Sequence, residues 1–413
     1  MRDFDTLLEQ YADLVVKVGV NIQPGQVLIV QSPLEAVELT RKIVAKAYEA
    51  GAKYVQVDFE DEHISRIRYE KAPEDSFGYY PKWQADTMEQ LAEGGGAILH
   101  IKVPDPELYK GIDSSKVSTA VRAAAVAREN YSRYVRNNLI SWSLIKAPTQ
   151  AWANKVFADL PEEQRIEAMW NAIFQMNRVD GGDPVAAWRE HIAHLKKSQE
   201  RMNLKRYKRL HYVAPGTDLS VELPEGHLWL GGGDENEKGI YFVANMPTEE
   251  IYTMPKRTGV NGTVASTLPL NLNGRLVEGI KLKFTDGKVT AYDADTGREH
   301  LTSLLETDEG ASYLGEVALV PHNSPISQLN RVFYNTGIDE NASCHFALGS
   351  CYPVNIEGGT KLSKEDLLAQ GGNTSLTHVD FMIGSAELSI DGELADGTVE
   401  PVFRNGNWVD TSI

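Results

Sequence analysis

Near its C-terminus the chain reads Thr377-His378-Val379-Asp380-Phe381-Met382, an imidazole and a carboxylate two residues apart among strand-forming residues. Side chains alternate across a strand, so His378 and Asp380 are expected on one face, placed to grip one ion together. A second imidazole, His345, stands in Ser343-Cys344-His345-Phe346. Glu316 lies in Tyr313-Leu314-Gly315-Glu316-Val317-Ala318-Leu319-Val320, a run apolar enough to be buried. A lone carboxylate there is costly to ionise unless it is paired or coordinated. Glu250, in the extended segment between Pro247 and Pro255, and Glu340, in Asp339-Glu340-Asn341, add two more acids.

Taken singly, each of these has an ordinary role: a surface strand acid, a helix cap, a core histidine bonded to a carbonyl, a charge-assisted pair. Taken together they have a coordination logic. The carboxylates Glu250, Glu316, Glu340 and Asp380 supply four negative charges, which two divalent cations would neutralise. With His345 and His378 they compose an oxygen-rich, partly nitrogen donor set suited to zinc, cobalt or manganese in a two-metal centre. Tyr352, in Cys351-Tyr352-Pro353, is close in sequence to His345, and a phenol there could donate to developing oxyanion charge. Cys344 and Cys351, seven positions apart, read as buried thiols rather than ligands.

Distant segments must be brought together to build such a site. The N-terminal half reads as α/β. Phe4, Leu7, Leu8, Tyr11, Leu14, Val15 and Val18 recur at helical spacing up to Gly19. Val27–Val30 suits a buried parallel strand, residues 34–50 a helix, Tyr54–Asp58 a second strand and Ala97–Ile101 a third, which is a parallel-type sheet with βαβ connection. Residues 116–136, 162–176 and 183–203 carry helical patterns. From about residue 207 the texture changes to short alternating runs punctuated by Asp286-Gly287, Asp391-Gly392, Asp396-Gly397 and Asn405-Gly406, dipeptides that favour hairpin turns. The expectation is an α/β N-terminal domain over 1–204 and an α+β, mostly antiparallel-strand, metal-binding catalytic domain over 205–413.

The formal net charge of −17 argues against duplex nucleic acid or an anionic membrane as partner. The basic stretch Lys196 to Arg209 holds seven Lys or Arg against one acid, yet only Tyr207 is aromatic, so a solvated helix end and linker is expected. Two cysteines build no disulfide framework and suit a reducing, cytoplasmic compartment. The first residues lack the apolar centre of a signal peptide, and no apolar run has the length, about 18 residues or more, needed to span a bilayer. No Walker loop, Gly-x-Gly-x-x-Gly fingerprint, Gly-x-Ser-x-Gly elbow or His-Glu-x-x-His motif occurs; His191 and His194 frame Ile-Ala instead.

The segments NMPTEEIYTMP, YLGEVALV, FYNTGIDENASCHFALGSCYP and THVDFMIGS, in this order across residues 245–385, resemble the thermophilic metalloaminopeptidase family, which includes aminopeptidases T, S and II and PepS. The resemblance implies a homodimeric aminopeptidase that carries two divalent ions per subunit (zinc, cobalt, manganese or magnesium) in its C-terminal domain and acts on peptides with a free N-terminus. Carried over by position, the ligands are Glu250, Glu316, His345, His378 and Asp380, with Glu316 the bridging carboxylate and Glu340 a further acid. Tyr352 inherits a role in stabilising oxyanion or substrate. Gly337-Ile338 and Gly371-Gly372 depart from the bulkier residues common in the family and bear on substrate preference. Two other readings stand beside this one. A different dinuclear amidase or dipeptidase would act on blocked peptides or on dipeptides only; a non-catalytic ligand-binding protein would hold structural metal without turnover.

Overall fold

The computed structural model describes residues 3–103, 108–109, 111–272 and 275–409. The chain divides into two compact units, Met1–Glu190 with Gly233–Pro247, and His191–Gly232 with Thr248–Ile413. The division therefore falls inside the helix Pro184–Lys205, and the short segment 233–247 returns to the first unit.

In the first unit, β1 (Val27–Pro33), β2 (Tyr54–Glu60), β3 (Ala97–Lys102) and β4 (Trp142–Lys146) form a parallel sheet in the order β2-β1-β3-β4. Leu28, Ile29 and Val30 are fully buried, as expected of a parallel strand covered on both faces. The helix Val37–Glu49 makes the crossover from β1 to β2. The helical pattern over 116–136 is two helices, Ser114–Ala127 and Glu129–Arg136, because Arg128 leaves helical geometry at φ −98°, ψ 16°. Strand β4 carried little sequence signal: Ser141 and Ser143 beside and within it are buried polar residues in a short, mixed run.

The second unit is mostly antiparallel. One sheet has eight strands, and three of the expected turns join neighbours in it: Asp286-Gly287, Asp396-Gly397 and Asn405-Gly406. Asp391-Gly392 does not turn. It lies inside the strand Ser389–Glu393, where a side chain at Gly392 would stand 2.5 Å from the Tyr207 ring, so the glycine serves close packing. Three cations of the basic stretch are ion-paired: Lys205 with Glu400, Arg206 with Glu357, and Arg209 with Glu222 and Glu393.

The other sheet positions the site. It has five strands, β5 (Leu230–Gly231), β6 (Ile251–Thr253), β7 (Leu314–Leu319), β8 (His345–Gly349) and β9 (His378–Met382), ordered β9-β8-β7-β6-β5 and antiparallel throughout. Its two faces differ. Ile251, Val317, Leu319, Phe346, Leu348 and Phe381 belong to the large apolar core of the unit. The register places Ala318 opposite Tyr252 and His345, and Ala347 opposite Glu316 and Asp380, on the other face. That face carries the chemistry. Among the described residues no helix is long and apolar enough to cross a membrane.

Candidate metal centre

The period of two along each strand sorts core residues to one side of the sheet and polar ones to the other. On the polar side Ala347 sits between Glu316 and Asp380, and a methyl group leaves the space between the two carboxylates open. The register of β7 against β8 shifts between Leu314 and Glu316, a bulge that inserts Gly315. At Gly315 a side chain would stand 2.4 Å from the carbonyl oxygens of Gly349 and Ser350, so only glycine admits the bulge that aims Glu316.

The side chains converge into two groups. Glu250, Glu316 and His345 form one, and Glu316, His378 and Asp380 the other. His345 Nε2 lies 3.2 Å from Glu250 Oε2 and 3.4 Å from Glu316 Oε1. His378 Nε2 lies 3.6 Å from Glu316 Oε2 and 3.4 Å from Asp380 Oδ1. The two oxygens of Glu316 are thus divided between the groups. Each imidazole uses its other nitrogen to donate to a backbone carbonyl: His345 Nδ1 to Ser343 at 3.0 Å and His378 Nδ1 to Ser350 at 2.7 Å. Such bonds fix ring orientation and point Nε2 into the cluster.

Electrostatics show how unusual this packing of acids is. Burial, with the Asp380 and Glu250 charges adding to it, pushes the Glu316 carboxyl up to about 7 against the opposing bond from His345. Burial acts against the charged form of His378, but its bond to Asp380 and the surrounding carboxylates outweigh this and raise it to about 9. His345 is likewise raised, burial being overcome by Glu250 and Glu316. Asp380 is lowered, its burial offset by the His378 bond. Even so, the only polar atoms within reach of Glu250 Oε2 and Asp380 Oδ1 among these side chains are the imidazole nitrogens at 3.2 and 3.4 Å, and neither contact has the alignment of a hydrogen bond. Buried acceptors are rarely left so, and two orphaned carboxylate oxygens facing imidazole nitrogens match the donor set of divalent cations. The residues present fit metal.

The other expected residues flank the groups. Glu340, on the turn Glu340–Ala342, is close enough for Asp380, Glu250 and Glu316 to reinforce the upward push of burial on its carboxyl, but it falls in neither group. Tyr352 is 45% exposed, but its ring lies 4.8 Å from that of His378 and 6.0 Å from that of Tyr252, and desolvation of the phenol at this end of the ring, with the Glu316 and Asp380 charges, keeps it protonated. Cys344 and Cys351 are buried free thiols outside both groups. Ala347, Ser343 and Ser350 escaped sequence reasoning; small residues and backbone carbonyls carry no chemical signature of their own.

The model of the thermophilic metalloprotease family matches residues 4–408. The chain belongs to this family. It is therefore a metalloprotease, a hydrolase of peptide bonds whose family implies divalent metal. Among its relatives, aminopeptidase 2 of Geobacillus stearothermophilus is 52% identical over 408 residues, 99% of each chain. Aminopeptidase AmpS of Bacillus subtilis is 46% identical, covering 99% of this chain and all of that one. The solved structure of wild-type AmpT from Thermus thermophilus superposes with a TM-score of 0.92 at 40% identity, over 99% of this chain and 100% of the other. The metalloprotease's α/β first unit and mostly antiparallel second unit are the arrangement expected from sequence.

Proposed function

We propose that this metalloprotease is an aminopeptidase working with two divalent ions per subunit. One would be held by Glu250, Glu316 and His345 and the other by Glu316, His378 and Asp380. The division of the Glu316 oxygens between the two groups carries this reading, because a bridging carboxylate is what ties two ions into one centre. The relatives, each named an aminopeptidase, support the substrate class. When bound, the ions would acidify a water and polarise the scissile carbonyl.

The chain's own groups supply the rest. Glu316 anchors both halves of the centre from a strand locked by its bulge. Tyr352, protonated and beside His378, donates its phenol proton in a hydrogen bond to the carbonyl oxygen as negative charge develops there. The free α-amine of the peptide would be met by one of the ions or by a nearby acid, for which Glu340 stands beside both groups once bound cations offset the push on its carboxyl, and this excludes blocked N-termini. The substrates are peptides with a free N-terminus. We place the protein in the cytoplasm as a homodimer, with neither nucleic acid nor membrane as partner, in keeping with its charge of −17.

Hydrolysis of leucine p-nitroanilide and of its N-acetylated form tests this, with chelator-stripped protein reloaded singly with zinc, cobalt, manganese or magnesium. The expected result is metal-restored cleavage of the free-amine substrate alone. Cleavage of the acetylated form would point to a different amidase. Ion uptake without turnover of either would leave a structural metal site.

A further inference from the structure

The two imidazoles are held by carbonyls of different standing. Ser343, which receives the His345 proton, is anchored at the start of β8, its hydroxyl accepting the Gly384 amide at 2.7 Å. Ser350, which receives the His378 proton, lies past the end of β8 at Gly349, outside regular structure. The Gly349 amide donates to the Tyr313 carbonyl and the Ser350 amide to the Thr377 carbonyl, each at 2.8 Å, which leaves the Gly349 carbonyl and the Cys351 amide to be held from elsewhere.

Asn373 is fully buried next to it. Its Nδ2 donates to the carbonyls of Gly349 at 2.6 Å and Gly310 at 2.8 Å, and its backbone carbonyl accepts the Cys351 amide at 2.9 Å. Its Oδ1 accepts from Arg257 Nε at 3.0 Å. Two carbonyls need the amide nitrogen and a guanidinium needs the amide oxygen, so the orientation of the amide is fixed by its partners and a carboxylate would not serve. Arg257 is itself held, stacked 3.8 Å from the centre of the Tyr313 ring and paired with Glu309. The chain of contacts runs from Arg257 through Asn373 to the residues on both sides of Ser350, and from Ser350 to His378.

We propose that Asn373 is a positioning residue that fixes the Ser350 carbonyl and through it the ring of His378. The proposal rests on His378 being a metal ligand only for its consequence in ion binding; the clamp itself is a matter of ring geometry. Loosening it should weaken the half of the centre containing His378 and spare the half containing His345.

The test compares the full-length protein with Asn373→Asp and Asn373→Ala. Zinc uptake is measured by competition with a chromophoric chelator, and ring N–H protons of the metal-free protein by NMR with 15N-labelled histidine, His378→Gln giving the assignment. Expected is a loss of roughly 10–100-fold in one zinc-binding step with the other preserved, the range seen when support of a ligand is removed. The protected Nδ1 proton of His378 should disappear while that of His345 persists. A purely structural asparagine would lower the melting temperature and leave both readouts as in the unaltered protein, which would overturn the proposal. If the unaltered protein takes up no zinc, the metal reading fails, and the ring protons still decide the positioning role. Should the Asn373 variants not fold, Arg257→Gln, which removes the outermost bond, should give the same selective change at smaller size; no change there would equally overturn it.

Discussion

Histidines on strands of the two units meet opposite fates. His100, on β3 of the parallel sheet, is pushed down to about 4 by burial and by the Lys102 and Arg128 charges, so it stays neutral through the physiological range. His345 and His378, on the five-stranded sheet, are pushed up because carboxylates surround them. The strand and the burial are comparable; the neighbours are not. An imidazole on a strand therefore says little about function, and the acids gathered around it say most.

Glu316→Gln should break the acidic side of this comparison most severely. Replacing the shared carboxylate removes several kcal/mol of transition-state stabilisation, at least about a 10³-fold loss of kcat/KM, with metal loading lost and far-UV circular dichroism unchanged. A variant that still loads metal and turns over would sink the assignment. Tyr352→Phe removes one donor and should lower kcat by about 10²–10³-fold with metal content intact, read from steady-state kinetics on the loaded enzyme. A change confined to KM would instead make the phenol a binding group.

Ala347→Val tests whether the gap between Glu316 and Asp380 is working space. Overpacking of about 1–3 kcal/mol translates into roughly 5–150-fold weaker zinc binding, measurable by chelator competition. An unaltered affinity would show the ions do not use that space. The smallest effect belongs to the first unit. His100 has an ordinary value of 6.5 and a folded value of about 4, so between these pH values the unfolded chain binds the extra proton. Its contribution to stability is present above pH 6.5 and lost as pH falls towards 4, at most about 3 kcal/mol. His100→Gln should flatten that acid limb of a urea-denaturation pH series while leaving activity at pH 7.5 unchanged. A reduced activity would place His100 in the catalytic machinery and erase the contrast.

Three of the side chains that converge were marked by local chemistry, while Glu250 and His345 rested on the family resemblance. His378 and Asp380 alternate on one strand, and Glu316 is an acid inside an apolar run, so strand periodicity and the cost of buried charge each point to one place. Glu340 was read from its sequence neighbours and the family motif, and the turn that carries it sets it beside the two groups, within reach of the charges of Asp380 and Glu250. Asp391-Gly392 shows the limit of local signals for the fold, since a turn dipeptide was overridden by the packing of Tyr207 against the strand.

By itself the sequence determined the α/β first half, the antiparallel second half, the shared face of His378 and Asp380 and the buried surroundings of Glu316, all properties of neighbours along the chain. The tertiary structure decided the pairing of strands separated by tens of residues, the bulge at Gly315 that aims Glu316, and the division of its oxygens between two groups. It also decided which carbonyls orient the imidazoles and that Asn373 braces one of them. Backbone carbonyls are the same at every residue, so their roles exist only once non-local register has set who faces whom.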